Sequence, residues 1–275
     1  TYYYRGSVTN NYVKFADFYW RIIRINSNGS IRMIYDGTSA HANGESSTDR
    51  QYGTSQFGTR GSDNMYAGFM YTSGEAHGTG TSSVIKTNVD KFYSDKLTSY
   101  ASKLDTNVGF CGDRSTLNLQ SGAGIGTSVT YNKGYVRVEE SAPTLTCENA
   151  SDYYTVSSAS SGNKKLSYPI GLITVDEMMY AGHAGGVVDG YYNHMKANKG
   201  SYLITGSSFW TMTPAGGYVP YGFTTWSTYV FSVYGTGDFD DGNVSGASGL
   251  RPVVNLKSSI TITGSGTQTD PYVVS

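Results

Sequence analysis

The residues best suited to chemistry or recognition gather near the C-terminal end of the chain. Between positions 213 and 249, the rings of Tyr218, Tyr221, Phe223, Trp226, Tyr229 and Tyr234 alternate with Gly, Ser and Thr, joined by Asp238, Asp240 and Asn243. Tyr and Trp offer large, rigid, amphipathic contact area and small polar neighbours let it adapt, which is how recognition surfaces are composed. The competing reading is that about half of these rings, Trp226 and alternate members of 229–234 above all, fill the core of a β protein, where Trp and Tyr are largely buried.

Other chemistries are poorly supported by residue type and spacing. Asp238, Asp240 and Asn243 alternate around Gly242 in a manner loosely like a calcium loop, but the twelfth-position Glu of an EF-hand is missing, and a solvated turn is the simpler expectation. His41, His77, His183 and His194 lie far apart and form no His-Glu-x-x-His pair, so no metal is expected. There is no Gly-x-Ser-x-Gly elbow and no phosphate-cradling glycine loop, so neither a hydrolase nor a nucleotide enzyme is signalled. Glu139 and Glu140 are adjacent, and in a strand they would point to opposite faces, which does not suit paired-carboxylate hydrolysis. The reading names no catalytic residue and no cofactor. Cys111 and Cys147 are too few for a thiolate zinc cluster and are not a C-x-x-C pair; they are either a disulfide or two buried thiols.

The elements that must hold this region in place are partly visible. Over 12–37, Phe18–Ile25 and Ile31–Tyr35 flank Asn26 to Gly29 as a hairpin, and apolar residues on both faces of the first run place it inside a larger sheet. Gly, Ser and Thr dominate 38–83, read as loops with a short helix near 49–57. Apolar residues at three-and-four spacing predict a helix over 85–104. The stretch 134–139 is read as a strand. Thr174 and Glu177 form a capping box for a helix over 175–181. Short strands are expected at 209–213, 229–234 and 250–256, with Pro252 at a first or edge position. Together these give an α+β chain.

Composition narrows the partners. Charged residues make up only 15% of the chain and the net charge is -1, while Tyr (25) and Gly (35) are abundant. Such a surface has no basic field for nucleic acid. No apolar run is long enough to span a membrane. The abrupt start at Thr1 suggests a trimmed ectodomain, with any leader, anchor or pilin-like helix upstream.

Three motifs carry a resemblance. Gly-Leu-Ile-Thr-x-Asp-Glu at 171–177, Phe-Trp-Thr-Met-Thr-Pro at 209–214 and Arg-Pro-Val-Val-Asn-Leu at 251–256 resemble a C-type-lectin-like surface-domain family of gut Firmicutes, and the run Phe18–Ile25 looks like that family's opening. The resemblance implies one domain over 1–275 of the formylglycine-generating-enzyme-like subtype, with a twisted antiparallel sheet, two main helices and long loop insertions. The variable proteins of diversity-generating retroelements use the same architecture, with their variable residues between the Trp-bearing strand and the Arg-Pro-Val-like one, here 213–249. The implied function is ligand recognition at the cell surface or outside the cell, with a protein or glycan as partner. A pilus-like or surface-assembly subunit is the structural alternative, and a formylglycine-generating-type enzyme using Cys111 and Cys147 is the enzymatic one.

Overall fold

The computed structural model describes residues 1–117, 122–156, 161–183, 200–219 and 222–275. The N-terminal strands β1 (Tyr12–Phe15), β2 (Phe18–Ile25) and β3 (Ile31–Gly37) form an antiparallel meander. Ala16 and Asp17 both take positive φ between β1 and β2, as a tight two-residue hairpin turn requires. The second turn is closed by the Gly29 N–H donating to the Asn26 carbonyl at 2.9 Å. Gly29 itself sits at φ 80, a conformation that glycine adopts without strain.

This meander is the centre of the first sheet. β9 (Val253–Leu256) pairs antiparallel with β3 and carries the short strand Ile170–Gly171 on its outer side. On the far side β10 (Tyr272–Val274) lies parallel to β1, and Ile262–Thr263 completes the edge. β2 is therefore interior, and Trp20, Arg21, Ile22 and Ile23 are all buried. Pro252 immediately precedes β9, which has neighbours on both sides, so it occupies a first position and not an edge.

A second sheet is built around β5 (Phe209–Tyr218), with β6 (Ser227–Val233) and β7 (Phe239–Asn243) on one side and β8 (Ala247–Gly249) and β4 (Thr54–Gln56) on the other. The pair Thr130–Tyr131 adds to the outer half of β5. One apolar cluster, including Trp20, Phe92, Phe57, Trp210 and Phe239, joins the two sheets.

Three helical expectations are corrected. α1 (Val84–Lys96) buries Ile85, Val89, Phe92 and Tyr93 as its spacing predicts, but it stops at Leu97 and a 3-10 segment, Thr98–Lys103, follows. Leu97 and Leu104 are buried all the same, since both helix types return a residue to one side every three or four positions. The stretch 134–139 is no strand but the body of α2 (Lys133–Glu140), so the domain has a further helix and the strand argument about Glu139 and Glu140 does not apply. Its Tyr and Val content suggests strand, yet Gly134 and Val138, one turn apart, are the residues it buries. A Cβ at Gly134 would lie 2.4 Å from the Thr213 methyl, so the glycine lets α2 rest directly on β5. In place of the helix near 49–57 there is one 3-10 turn, Thr48–Arg50, followed by β4.

The third helix, α3 (Val175–Tyr180), starts with the full capping box of Thr174 and Glu177. Below the first sheet lies a buried cation cluster. Asp36 Oδ1 accepts from Arg50 Nε at 3.0 Å and from Arg50 Nη2 and Arg251 Nη2 at 2.8 Å each. Arg50 also donates to the carbonyls of Glu45, Tyr202 and Ile204, and Arg251 to those of Tyr35 and Leu203. Arg21, also buried, has Nη1 3.9 Å from Asp36 Oδ2 and its guanidinium 3.6 Å from the centre of the Tyr12 ring.

Candidate functional site

The C-terminal residues singled out by type divide between surface and interior. β5 ends at Tyr218 and β6 begins at Ser227, and between them Val219 and Phe223 stand 45% and 66% exposed. Tyr221 lies outside the described residues, as does His194. Tyr234 is 42% exposed. Tyr229, by contrast, is buried, and Tyr218 and Trp226 are half-buried. Expecting Tyr229 to contact a ligand is therefore corrected: in the register Tyr229 lies opposite Asn243 on β7, and its ring stacks on Tyr218 at 4.9 Å.

These inward rings form a layer. Tyr218 also stacks on Tyr131 at 5.1 Å, and Tyr135 of α2 stands edge-on to Tyr218 and packs over Phe231. α2 thus covers one face of the β5–β6 pair. The layer fixes the base of the loop that bears Phe223. Trp226 packs tightly against the backbone: a Cβ at Gly217 would lie 2.5 Å from the Trp226 ring and 1.8 Å from Asn64 Oδ1. The Trp226 Nε1 is buried and finds no acceptor among the described residues, an uncommon state for an indole donor.

Of the residues expected in a solvated turn, Asp240 and Asn243 belong to a strand, and Asp238 to the turn that leads into it. Asp240 and Asn243 lie on β7 and Asp238 immediately before it. The Tyr234 hydroxyl donates to Asp240 Oδ2 at 2.7 Å, Thr236 donates to Asp238 Oδ2 at 2.7 Å, and Asn243 Oδ1 accepts from the Ser245 N–H at 2.9 Å. Asp241, which residue type alone does not single out, is the most perturbed. Burial first, and then its neighbour Asp240, push its carboxyl up to about 7, against the Tyr218 hydroxyl that donates to it at 2.5 Å. Tyr218 is itself raised by burial and by that carboxylate.

A pH dependence follows. A carboxyl whose folded pKa exceeds its unfolded value of about 4 binds its proton more tightly when folded, so its contribution is full below pH ~4 and is lost as pH rises through about 7. Denaturant midpoints are expected to fall between about pH 5 and about pH 8 in the wild type. The fall should be smaller in Asp241→Asn; an equal fall in both would assign the dependence elsewhere.

Sequence reasoning missed Tyr131, Tyr135 and Asp241. The first two are brought in by α2 and the short strand Thr130–Tyr131, and the last by the β6–β7 register. Of the other candidates, Cys111 and Cys147 form a disulfide with Cα atoms 5.5 Å apart, so neither supplies a free thiol. His183 is buried between Ser201 Oγ at 2.9 Å and the Gly237 carbonyl at 3.2 Å, and burial pulls it down to about 4. His77 meets Asp152 at 2.8 Å, and Asp152 also takes Arg114. Among the described residues no group of three or more His, Cys, Asp or Glu side chains could hold a metal ion. No family model, curated protein or solved structure matches the chain. What the site offers is contact: exposed apolar groups on a stiff aromatic base, with hydroxyl–carboxylate pairs at the side.

Proposed function

We propose that the chain is an extracellular or cell-surface ligand-binding domain of C-type-lectin-like architecture, similar to the variable proteins of diversity-generating retroelements. The observation that carries this reading is the outer end of the β5–β6 pair, where Val219 and Phe223 are held exposed above the tyrosine layer. Val129 and Leu117 extend the patch. Val129 precedes the strand Thr130–Tyr131 on β5, the Leu117 N–H donates to the Tyr131 carbonyl at 2.9 Å, and both side chains are about half exposed. Apolar groups left on a pre-ordered surface favour association, because little order has to be imposed on binding.

The disulfide supports an oxidising compartment. No described helix is long and apolar enough to cross a membrane. The partner is a protein or glycan, and the exposed apolar groups Val219 and Phe223 suit contact better than turnover.

Phe223→Ala is the test. Screened against immobilised glycans and extracellular proteins, the wild type is expected to bind a discrete ligand and the variant to bind it about tenfold or more weakly, with the same melting temperature because the side chain is exposed. Unchanged binding by a folded variant sinks the reading. Concentration-dependent self-association that Phe223→Ala abolishes would instead favour a surface-assembly subunit.

A further inference from the structure

A polar cleft of about 570 Å³ lies between the β2–β3 hairpin tip, the disulfide and the start of α3. Its size falls within the roughly 300–1,000 Å³ of small-molecule sites. At one end two arginines converge on a single carboxylate oxygen: Arg24 Nε stands 3.2 Å and Arg32 Nε 2.5 Å from Glu177 Oε1. Both contacts are buried ion pairs, and the two guanidinium groups share the one oxygen. Glu177 Oε2 is committed to capping α3 through the Thr174 N–H.

Two guanidinium groups against one carboxylate leave surplus positive charge at this corner, although over the whole lining three arginines meet the three carboxylates Glu177, Asp176 and Asp113. Arg32, only 1% exposed, donates Nη1 to the Gly109 carbonyl at 3.1 Å and lies over the Phe110 ring. Burial pulls its pKa down to about 10, so it stays charged at neutral pH. Arg24, 14% exposed, meets Glu177 as its one ion-pair partner among the described residues. The neighbouring carboxylates are taken: Arg137 grips Asp176 through Nε and Nη2 and Asp113 through Nη1. The intervening wall is rich in amide and hydroxyl side chains, among them Asn28, Thr144, Thr146 and Thr213, with the Tyr153 ring beside them.

We propose that this cleft binds a small acidic sugar, with its carboxylate against Arg24 and Arg32 and its hydroxyls on the Asn and Thr wall. Guanidinium forks match carboxylates in plane and in charge. A bare anion would leave most of the cleft and its polar wall unused. The site goes beyond the apolar patch and does not depend on it.

Titration calorimetry on the full chain decides the matter, with D-glucuronate, D-glucose and inorganic sulfate as probes. Glucuronate is expected to bind, with glucose and sulfate each about tenfold or more weaker. Arg24→Gln should lose about tenfold or more of the glucuronate affinity at an unchanged melting temperature, and Phe223→Ala should bind it like the wild type. Should Arg24→Gln fail to fold, Arg24→Lys keeps the charge beside Glu177 while removing the fork, and the same loss is expected. Glucuronate no tighter than glucose, sulfate as tight as glucuronate, wild-type affinity in the folded Arg24 variant, or loss of affinity in Phe223→Ala would each overturn the proposal.

Discussion

Asp36→Asn is expected to lower the unfolding free energy by about 3–5 kcal/mol, the range for breaking a buried ion pair from one side. The substitution keeps shape and removes charge. Arg50 and Arg251 are both fully buried and both depend on Asp36 Oδ1, so the variant encloses two cations with only carbonyl dipoles around them. Arg251 already shows the strain: burial lowers it to about 9 against the pull of Asp36. Urea denaturation should show an earlier midpoint, and the melting temperature should drop by roughly 10 °C. Arg21 is better protected, because it also rests on Tyr12 and donates to Asn11 Oδ1 at 2.8 Å. Were Asp36→Asn to melt within a degree or so of the wild type, the cluster would hold the fold through its carbonyl bonds alone.

The second large effect belongs to the disulfide. Cys111–Cys147 closes a loop with a sequence separation of 36, and removing the crosslink should cost roughly 4 kcal/mol in the chain-entropy model. The double variant Cys111→Ser, Cys147→Ser is expected to melt roughly 10 °C lower than the oxidised wild type. It should be indifferent to reductant, whereas the wild type should fall to the variant's level in dithiothreitol. Equal melting temperatures in all states would show that α2 and the Arg137 bridges to Asp113 and Asp176 hold that loop unaided.

Much of the scaffold was legible because local chemistry fixes it. The β2–β3 hairpin, the start of α1 and the capping box at Thr174 are each set within a few residues. The strand assigned to 134–139 failed for the converse reason: Tyr and Val favour a strand locally, and only contact with β5 makes the helix. The β1–β2 turn carries Ala16 and Asp17 in place of Asn-Gly, so it sends no signal of its own. The motifs behind the resemblance prove to hold the fold together. Trp210 donates to the Ser55 carbonyl at 2.7 Å, Thr213 Oγ1 caps the Val175 N–H at 3.1 Å, and Arg251 reaches Asp36 from 215 residues away. At the candidate site, residue type identified the rings but not their direction. Tyr218 turns toward α2, which the sequence reading took for a strand, Tyr229 stacks on Tyr218, and Asp241 acquires its character only from the register of β6 with β7.

The pairing of β9 with β3 bears on how the chain must be made. Val253 meets Ile34, about 220 residues earlier, and β10 meets β1 across an even longer interval. The first meander therefore leaves the ribosome with greasy surfaces on either side and no lid, and waits for almost the whole polypeptide to follow. Fragments cut ahead of β9 should clump instead of maturing, and folding is best served by a chaperone that shields the leading strands until the tail arrives.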